Sequence, residues 1–341
     1  SGIAGSTLAY ALAERGHKVD LYEQDEEICS RASGNGVLIT YPRLSAFDSP
    51  YARFCIHSFL FASSFYDRIK TKAWNKCGVL LLSHDDSSFK RQASLLNARS
   101  DNKIFKEISC EEASKKANLK LNNGGIFFEK GGFIEPKILC QSLLDHKNIN
   151  QILSTKIEKI DLDGISRKIV NKGKSIEYEE VCLCTGNASE ELIDLTGLSS
   201  KRGQISYVDS SKDFENLKFP ICGSGYFSPK VNGSHIVGSS YSDIKNDYIN
   251  EEEHKSNMEK LKTIHSFEAN ITDGKVGFRA VTKDRLPLVG VKNGIYVNTG
   301  HGSRGSTSSP LCGEIIADLI DEKSLPVDNE IATALELNRF N

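Results

Sequence analysis

No stretch limits the fold of this chain more than Ser1 to Glu23. Ser1-Gly2-Ile3-Ala4-Gly5 opens a run in which Leu8, Ala9, Leu12 and Ala13 recur at helical spacing. Gly16 stands where a helix C-terminus wants a residue free to take positive φ. Lys18 to Glu23 then reads as a strand. A glycine turn, a helix and a strand ending in an acid are the parts of a dinucleotide-binding βαβ unit. The glycines let the backbone approach a pyrophosphate, and the unpaired N–H groups of the helix N-terminus face its charge. The acid, here Glu23 with Gln24 beside it, accepts from ribose hydroxyls. Gly2, Ile3, Ala4 and Gly5 are therefore candidate cofactor contacts. The full G-x-G-x-x-G pattern follows a strand, and this sequence starts at the second position of that pattern. The strand and the first glycine are expected upstream of Ser1.

At 341 residues the chain is long enough for one large or two interleaved domains. Its 43 basic and 45 acidic side chains give a net charge of −2, so no global signal for nucleic acid is present. Lys70, Lys72 and Lys76, or Lys115, Lys116 and Lys120, are the local candidates for a phosphate patch, although such runs are usually solvated faces. The 9 cysteines form neither a C-x-x-C pair nor a Cys/His cluster at metal spacing. This fits a reducing cytoplasm and predicts no metal. No apolar run approaches the roughly 20 residues that cross a bilayer, and no membrane span is expected.

After the Glu23 strand, Arg31-Ala32-Ser33-Gly34-Asn35 forms a polar loop suited to close backbone approach to a ligand. Residues 51–72 carry Phe54, Phe59, Phe61, Phe65, Tyr66 and Ile69 on a helical pattern that reads as core. From about 77 to 130, short apolar segments predict a second domain inserted into the first. Ile152 to Ile160 alternates like a strand, and Val181 to Gly186 reads as a buried strand ending in Thr185-Gly186. Sheets of this class bind ligands at the carboxyl ends of their strands. Cys182 and Cys184 are read as core residues rather than a redox pair. Residues 203–242 are β-rich, with a hairpin turn at Asn232-Gly233. Ile295 to Thr299 runs as a strand into Gly300-His301-Gly302-Ser303-Arg304-Gly305-Ser306. Ser309 is the expected cap of the next helix, with Pro310 in its first turn.

Together these segments resemble the FAD-dependent oxidases of the D-amino-acid oxidase and glycine oxidase type. The likeness spans almost the whole chain: Ser1 to Gly5 with Glu23, the 31–35 loop, Cys184-Thr185-Gly186, Arg202-Gly203-Gln204, Tyr226 to Pro229, Gly277-Phe278-Arg279 through Asp284, Pro287 and Gly290, and Gly300 to Gly305. Within that group the chain is most similar to the C-terminal oxidase domain of the bifunctional tRNA-modifying MnmC enzymes. Ala32-Ser33-Gly34-Asn35 with Tyr41 to Ser45, Arg53 to Asp67, Arg279 to Gly290, and Ser303-Arg304-Gly305 with Pro310-Leu311-Cys312 carry that likeness. The resemblance implies an α/β fold, a Rossmann-like FAD-binding domain interleaved with a β-rich α+β substrate domain. The FAD-binding part is expected at 1–40, 130–205 and 275–341, and the substrate part at 41–129 and 206–274.

The resemblance also implies an activity. The expected substrate is 5-carboxymethylaminomethyl-2-thiouridine at the tRNA wobble position, which loses its carboxymethyl group to give 5-aminomethyl-2-thiouridine and glyoxylate. A methyltransferase domain, expected upstream in the parent chain, acts on that product. The alternative is a small-molecule oxidase or dehydrogenase of glycine, sarcosine or a D-amino acid. Arg279 is the expected carboxylate clamp, since a guanidinium grips both oxygens in one plane. Tyr226 is the expected second donor to that carboxylate. Non-covalent FAD is expected against residues 2–5, Glu23, Gln24, residues 31–35, Ile157, Thr185, Gly186, and Gly300, His301, Gly302, Ser303, Arg304, Gly305 and Ser306. No acid or base role is assigned to His301 or Arg304.

Overall fold

A computed structural model describes the chain apart from residues 70, 100–102, 164–165, 266–268 and 341. The opening unit follows its local chemistry. A helix spans Ile3–Glu14, and Gly16 at φ +95° turns the chain into the strand Val19–Tyr22. That strand pairs in parallel with Ile149–Ile152. Cys182–Leu183 pairs in parallel with Ile295–Thr299, which continues antiparallel to Leu288–Lys292. These form separate sheets of two and three strands. The Ile3–Glu14 helix packs on two others, Gly305–Ile320 and Pro136–Leu144. Its approach to the first is close, since a Cβ on Gly313 would stand 3.2 Å from the Leu8 nitrogen.

The β-rich part is an eight-stranded sheet. Its edge strand Ile271–Thr282 pairs antiparallel with Leu198–Val208 along the latter's whole length. His235–Gly238, Tyr226–Phe227, Ile221–Cys222, Val79–Leu82, Gly125–Phe128 and Lys106–Ile108 follow in that order. Asn232 (φ 51°) and Gly233 (φ 91°) form the tight turn before His235–Gly238. Leu80, Ile221, Phe227 and Val237 bury one side of this sheet in a core with Leu261 and Ile264. The two long strands run unbroken through the expected boundaries 205/206 and 274/275. Residues 51–72 contain the helix Pro50–Ile69, whose Phe54, Phe59, Phe65 and Tyr66 are buried.

Three local expectations differ from the structure. Residues 152–160 do not form one strand. Ile149–Ile152 ends early, Ser154 takes φ 53°, and its N–H and that of Thr155 bond to the Asp25 and Glu23 carbonyls. This fastens the end of the Glu23 strand instead of continuing the ladder. Ser309 does not cap a helix, and Pro310 is not in a first turn. The helix begins at Gly305, with Pro310 inside it. Proline removes the N–H that the Ser306 carbonyl would accept from, and the Tyr66 hydroxyl, 2.5 Å away, donates in its place. Of the lysine groups, Lys70 lies outside the described residues, Lys76 is ion-paired with Asp67, and Lys116 lies over the Phe127 ring at 5.4 Å. Cys182 and Cys184 both pack against one apolar cluster. Among the described residues no helix is long and apolar enough to cross a membrane, and no cluster of metal-ligand residues occurs.

Candidate active site

A cavity of about 1890 Å³ brings together the ends of these elements. It is lined by Gly2 to Gly5, by Glu23 and Gln24, and by Arg31, Ala32, Ser33 and Asn35. Ile157, Thr185, Gly186, residues 300–306, Tyr226 and Arg279 complete that set. Gly34 is the one expected contact outside the lining. A Cβ there would stand 2.4 Å from the Cys29 carbonyl oxygen and 2.7 Å from Lys275 Nζ, so its glycine serves the turn of the loop. The cavity also passes between Val19–Tyr22 and Cys182–Leu183, which belong to different sheets.

Two helix N-termini open on this space. The Ile3–Glu14 and Gly305–Ile320 helices both lack a side-chain cap and an acidic residue in the first turn. Their ends remain electropositive, and apart from the Ile3 N–H the first turns are not capped by a side chain. Ser33 Oγ accepts from the Ile3 N–H at 3.0 Å, which holds the 31–35 loop against the first helix. Gly186, Gly300 and Gly302 take φ of 58°, 77° and 55°, backbone that side chains disfavour. Thr299 Oγ1 donates to the Gly186 carbonyl at 3.1 Å and so joins the Thr185-Gly186 and 300–306 loops.

His301 is neutral. Burial lowers its pKa to about 4. Ser308 Oγ donates to the Arg304 carbonyl, so it accepts from His301 Nδ1, 2.8 Å away. Nε2 is left to accept, facing the Asn298 amide at 2.9 Å. The Asn298 amide nitrogen is buried with no other partner, and turning it to Nε2 satisfies both groups. Arg304 donates to the Tyr41 carbonyl at 3.2 Å and lies over the Tyr41 ring at 4.3 Å. Both side chains hold the loop in shape.

Arg279 also lines the cavity, on the edge strand and 9% exposed. Nη2 donates to Ser239 Oγ at 2.6 Å, and Nη1 reaches the Ser240 and Arg202 carbonyls at 3.3 and 3.4 Å. Every one of these partners is neutral. Burial lowers the guanidinium pKa from its ordinary value, yet an arginine remains charged. Gly203 makes the position possible, since a Cβ there would stand 2.1 Å from both guanidinium Nη atoms. Lys260 Nζ donates to the Ser239 carbonyl at 2.9 Å and steadies the same corner. Tyr226 lines the cavity beside Arg279, and burial raises its pKa, so its hydroxyl keeps a proton to donate. Gly203, Ser239 and Lys260 were not among the expected site residues. Arg202-Gly203-Gln204 was the only sequence signal for them, because Ser239 and Lys260 come from distant segments.

Residues 1–319 match the family described as DAO, FAD dependent oxidoreductase. The tRNA 5-methylaminomethyl-2-thiouridine biosynthesis bifunctional protein MnmC of a Marinomonas species is 31% identical over 411 aligned residues. That alignment covers 100% of this chain and 58% of the relative. The chain thus spans under two thirds of the length of such relatives. Among solved structures, glycine oxidase from Geobacillus kaustophilus superposes with a TM-score of 0.86 at 18% identity, covering 99% of this chain and 96% of the other. Iminodiacetate oxidase from a Chelativorans species gives 0.79 at 18% identity, covering 96% and 95%.

Proposed function

The chain belongs to the DAO family of FAD dependent oxidoreductases, and on that footing we propose that it removes the carboxymethyl group from 5-carboxymethylaminomethyl-2-thiouridine in tRNA. It is an oxidoreductase acting on CH–NH groups, and its cofactor is FAD. The cavity suits that group. Gly2 to Gly5 and the uncapped N-terminus of the first helix would hold the diphosphate, with Glu23 toward the ribose. Residues 300–306 and the second uncapped N-terminus would hold the ring. Once bound, FAD supplies the two-electron oxidation of the substrate's C–N bond.

The observation that carries the reading is Arg279. Among the described residues its hydrogen-bond partners are one hydroxyl and two carbonyls and none is a carboxylate, although it is almost fully buried. A buried cation with only neutral partners is costly, and a substrate carboxylate supplies the missing anion in a bidentate geometry. Tyr226 donates to the same carboxylate. The substrate arm is an N-substituted glycine, and the two donors fix its CH₂ for oxidation. Oxidation turns the CH₂–N bond into C=N, and water hydrolyses that bond to yield the primary amine and glyoxylate. Iminodiacetate, named for one structural relative, is likewise a secondary amine with carboxymethyl groups. The coverage of the MnmC relatives leaves room for a methyltransferase domain in the parent chain, acting on the product in the cytoplasm.

The test is incubation of the FAD-loaded protein with tRNA bearing the modified uridine, followed by nucleoside mass spectrometry. Loss of the carboxymethyl mass with release of glyoxylate is expected. Turnover of free glycine or sarcosine with the tRNA nucleoside untouched would favour a small-molecule oxidase instead.

A further inference from the structure

Residues 239–250 leave the long sheet beside Arg279, and their backbone is fastened at several points. Arg202, fully buried, donates from Nε to the Asn246 carbonyl at 2.9 Å and from Nη2 to the Tyr248 carbonyl. Gln204 Nε2 donates to the Asn250 carbonyl at 2.9 Å, and Gln204 Oε1 accepts from the Asn250 N–H at 2.8 Å. Ser242 and Arg202 exchange backbone bonds of 2.9 and 3.1 Å. On this fixed backbone the large side chains face outward: Tyr241 is 57% exposed, Tyr248 76% and Ile244 37%. Asp243, Ile244, Lys245 and Asp247 of the same segment line the cavity, which makes this patch its rim. The Tyr241 ring centroid stands 5.9 Å from Arg279 Cζ and 5.9 Å from Lys201 Nζ, two cations that face each other on neighbouring strands. A rigid rim that presents an aromatic face beside the carboxylate clamp is organised for a flat ligand.

We infer that Tyr241 is the stacking platform for the uracil ring of the substrate nucleotide, and that an unpaired RNA base covers this face. The inference rests on the tRNA reading above. In that substrate the carboxylate carbon and the base are joined through CH₂, NH and CH₂, four bonds of about 1.5 Å that extend to about 5 Å. A carboxylate gripped by Arg279 therefore keeps the base within one short arm of the clamp, and Tyr241 is the exposed aromatic ring beside that clamp. The phenol face takes the base without reading its edges, as aromatic platforms for unpaired nucleic acid do. Lys201 and Arg279 lie together against the ring, and its 57% exposure leaves ring surface open to the base.

The experiment uses FAD-loaded enzyme and an anticodon stem-loop RNA carrying the carboxymethylaminomethyl uridine. Tyr241→Ala is expected to raise KM for this RNA roughly 5- to 150-fold, the range that corresponds to about 1–3 kcal/mol for one stacked base. Tyr241→Phe, which keeps the ring, is expected to stay within about twofold of the parent. FAD content and melting temperature should be unchanged in both. Stacking releases no counterions, so the Ala effect should be the same factor at low and high salt. An unchanged KM in Tyr241→Ala overturns the platform while leaving the tRNA reading intact, and assigns the patch to a protein partner. A Phe variant as weak as the Ala variant also overturns it, since the hydroxyl and not the ring would then matter. A parent enzyme that oxidises sarcosine but not the RNA overturns the tRNA reading and the platform with it.

Discussion

Arg279 holds a charge for which the protein supplies only hydroxyl and carbonyl partners. Arg279→Ala should lower kcat/KM by roughly 30-fold to 1000-fold, the scale of a lost charge-assisted bidentate contact of about 2–4 kcal/mol, while the yellow flavin absorbance stays. Retained activity would remove it from the clamp. Gly203→Ala should act on the same step without touching the substrate, because the new Cβ would fall 2.1 Å from the guanidinium. Steady-state kinetics should show a loss approaching that of Arg279→Ala with FAD still bound. His301 sets a pH term. Its folded pKa of about 4 lies below the ordinary 6.5, so the unfolded chain binds the proton first as pH falls. Stability is complete above about 6.5 and is lost from there down through 4, by at most about 3 kcal/mol. His301→Gln should flatten the slope of melting temperature against pH in that window, read by calorimetry between pH 4.5 and 7.5.

The helix Gly305–Ile320 depends on a contact that its own residues do not announce. Ser-Pro is a good local start signal, and Ser309-Pro310 was read as one. The glycine loop instead delivers the chain in helical geometry from Gly305, and Tyr66, 240 positions away in sequence, repairs the bond that Pro310 lacks. Tyr66→Phe should cost about 1–3 kcal/mol in denaturant unfolding, the range for a stranded buried carbonyl. In a Pro310→Ala background, where the N–H returns, the same substitution should cost less. Equal costs in the two backgrounds would show that the Tyr66 hydroxyl does not serve Ser306.

At the scale of the molecule, the cofactor region gathers ends from sheets that do not hydrogen-bond to each other. FAD bound across them should raise stability by mass action, about 4 kcal/mol when free FAD is 1000 times its Kd. Stripping FAD should lower the melting temperature and adding it back should restore it, in Arg279→Ala as in the parent, because the Arg279 side chain bonds to Arg202, Ser239 and Ser240 and not to the 300–306 loop. Those loops were legible beforehand, since glycines at fixed offsets from a strand and a helix encode backbone conformation locally: Gly2 to Gly5, Thr185-Gly186 and residues 300–306 all face one cavity. Arg279 stands in a motif the sequence displays, and it lines the same cavity. Its surroundings were not legible, for Gly203 reaches it from a strand, Ser239 and Tyr241 from the segment after another strand, and Lys260 from a helix, and no short-range pattern records that meeting. Turn and helix chemistry act over a few residues and can be read from residue order, whereas the neutral cage around a buried charge exists only once distant segments have packed against one another.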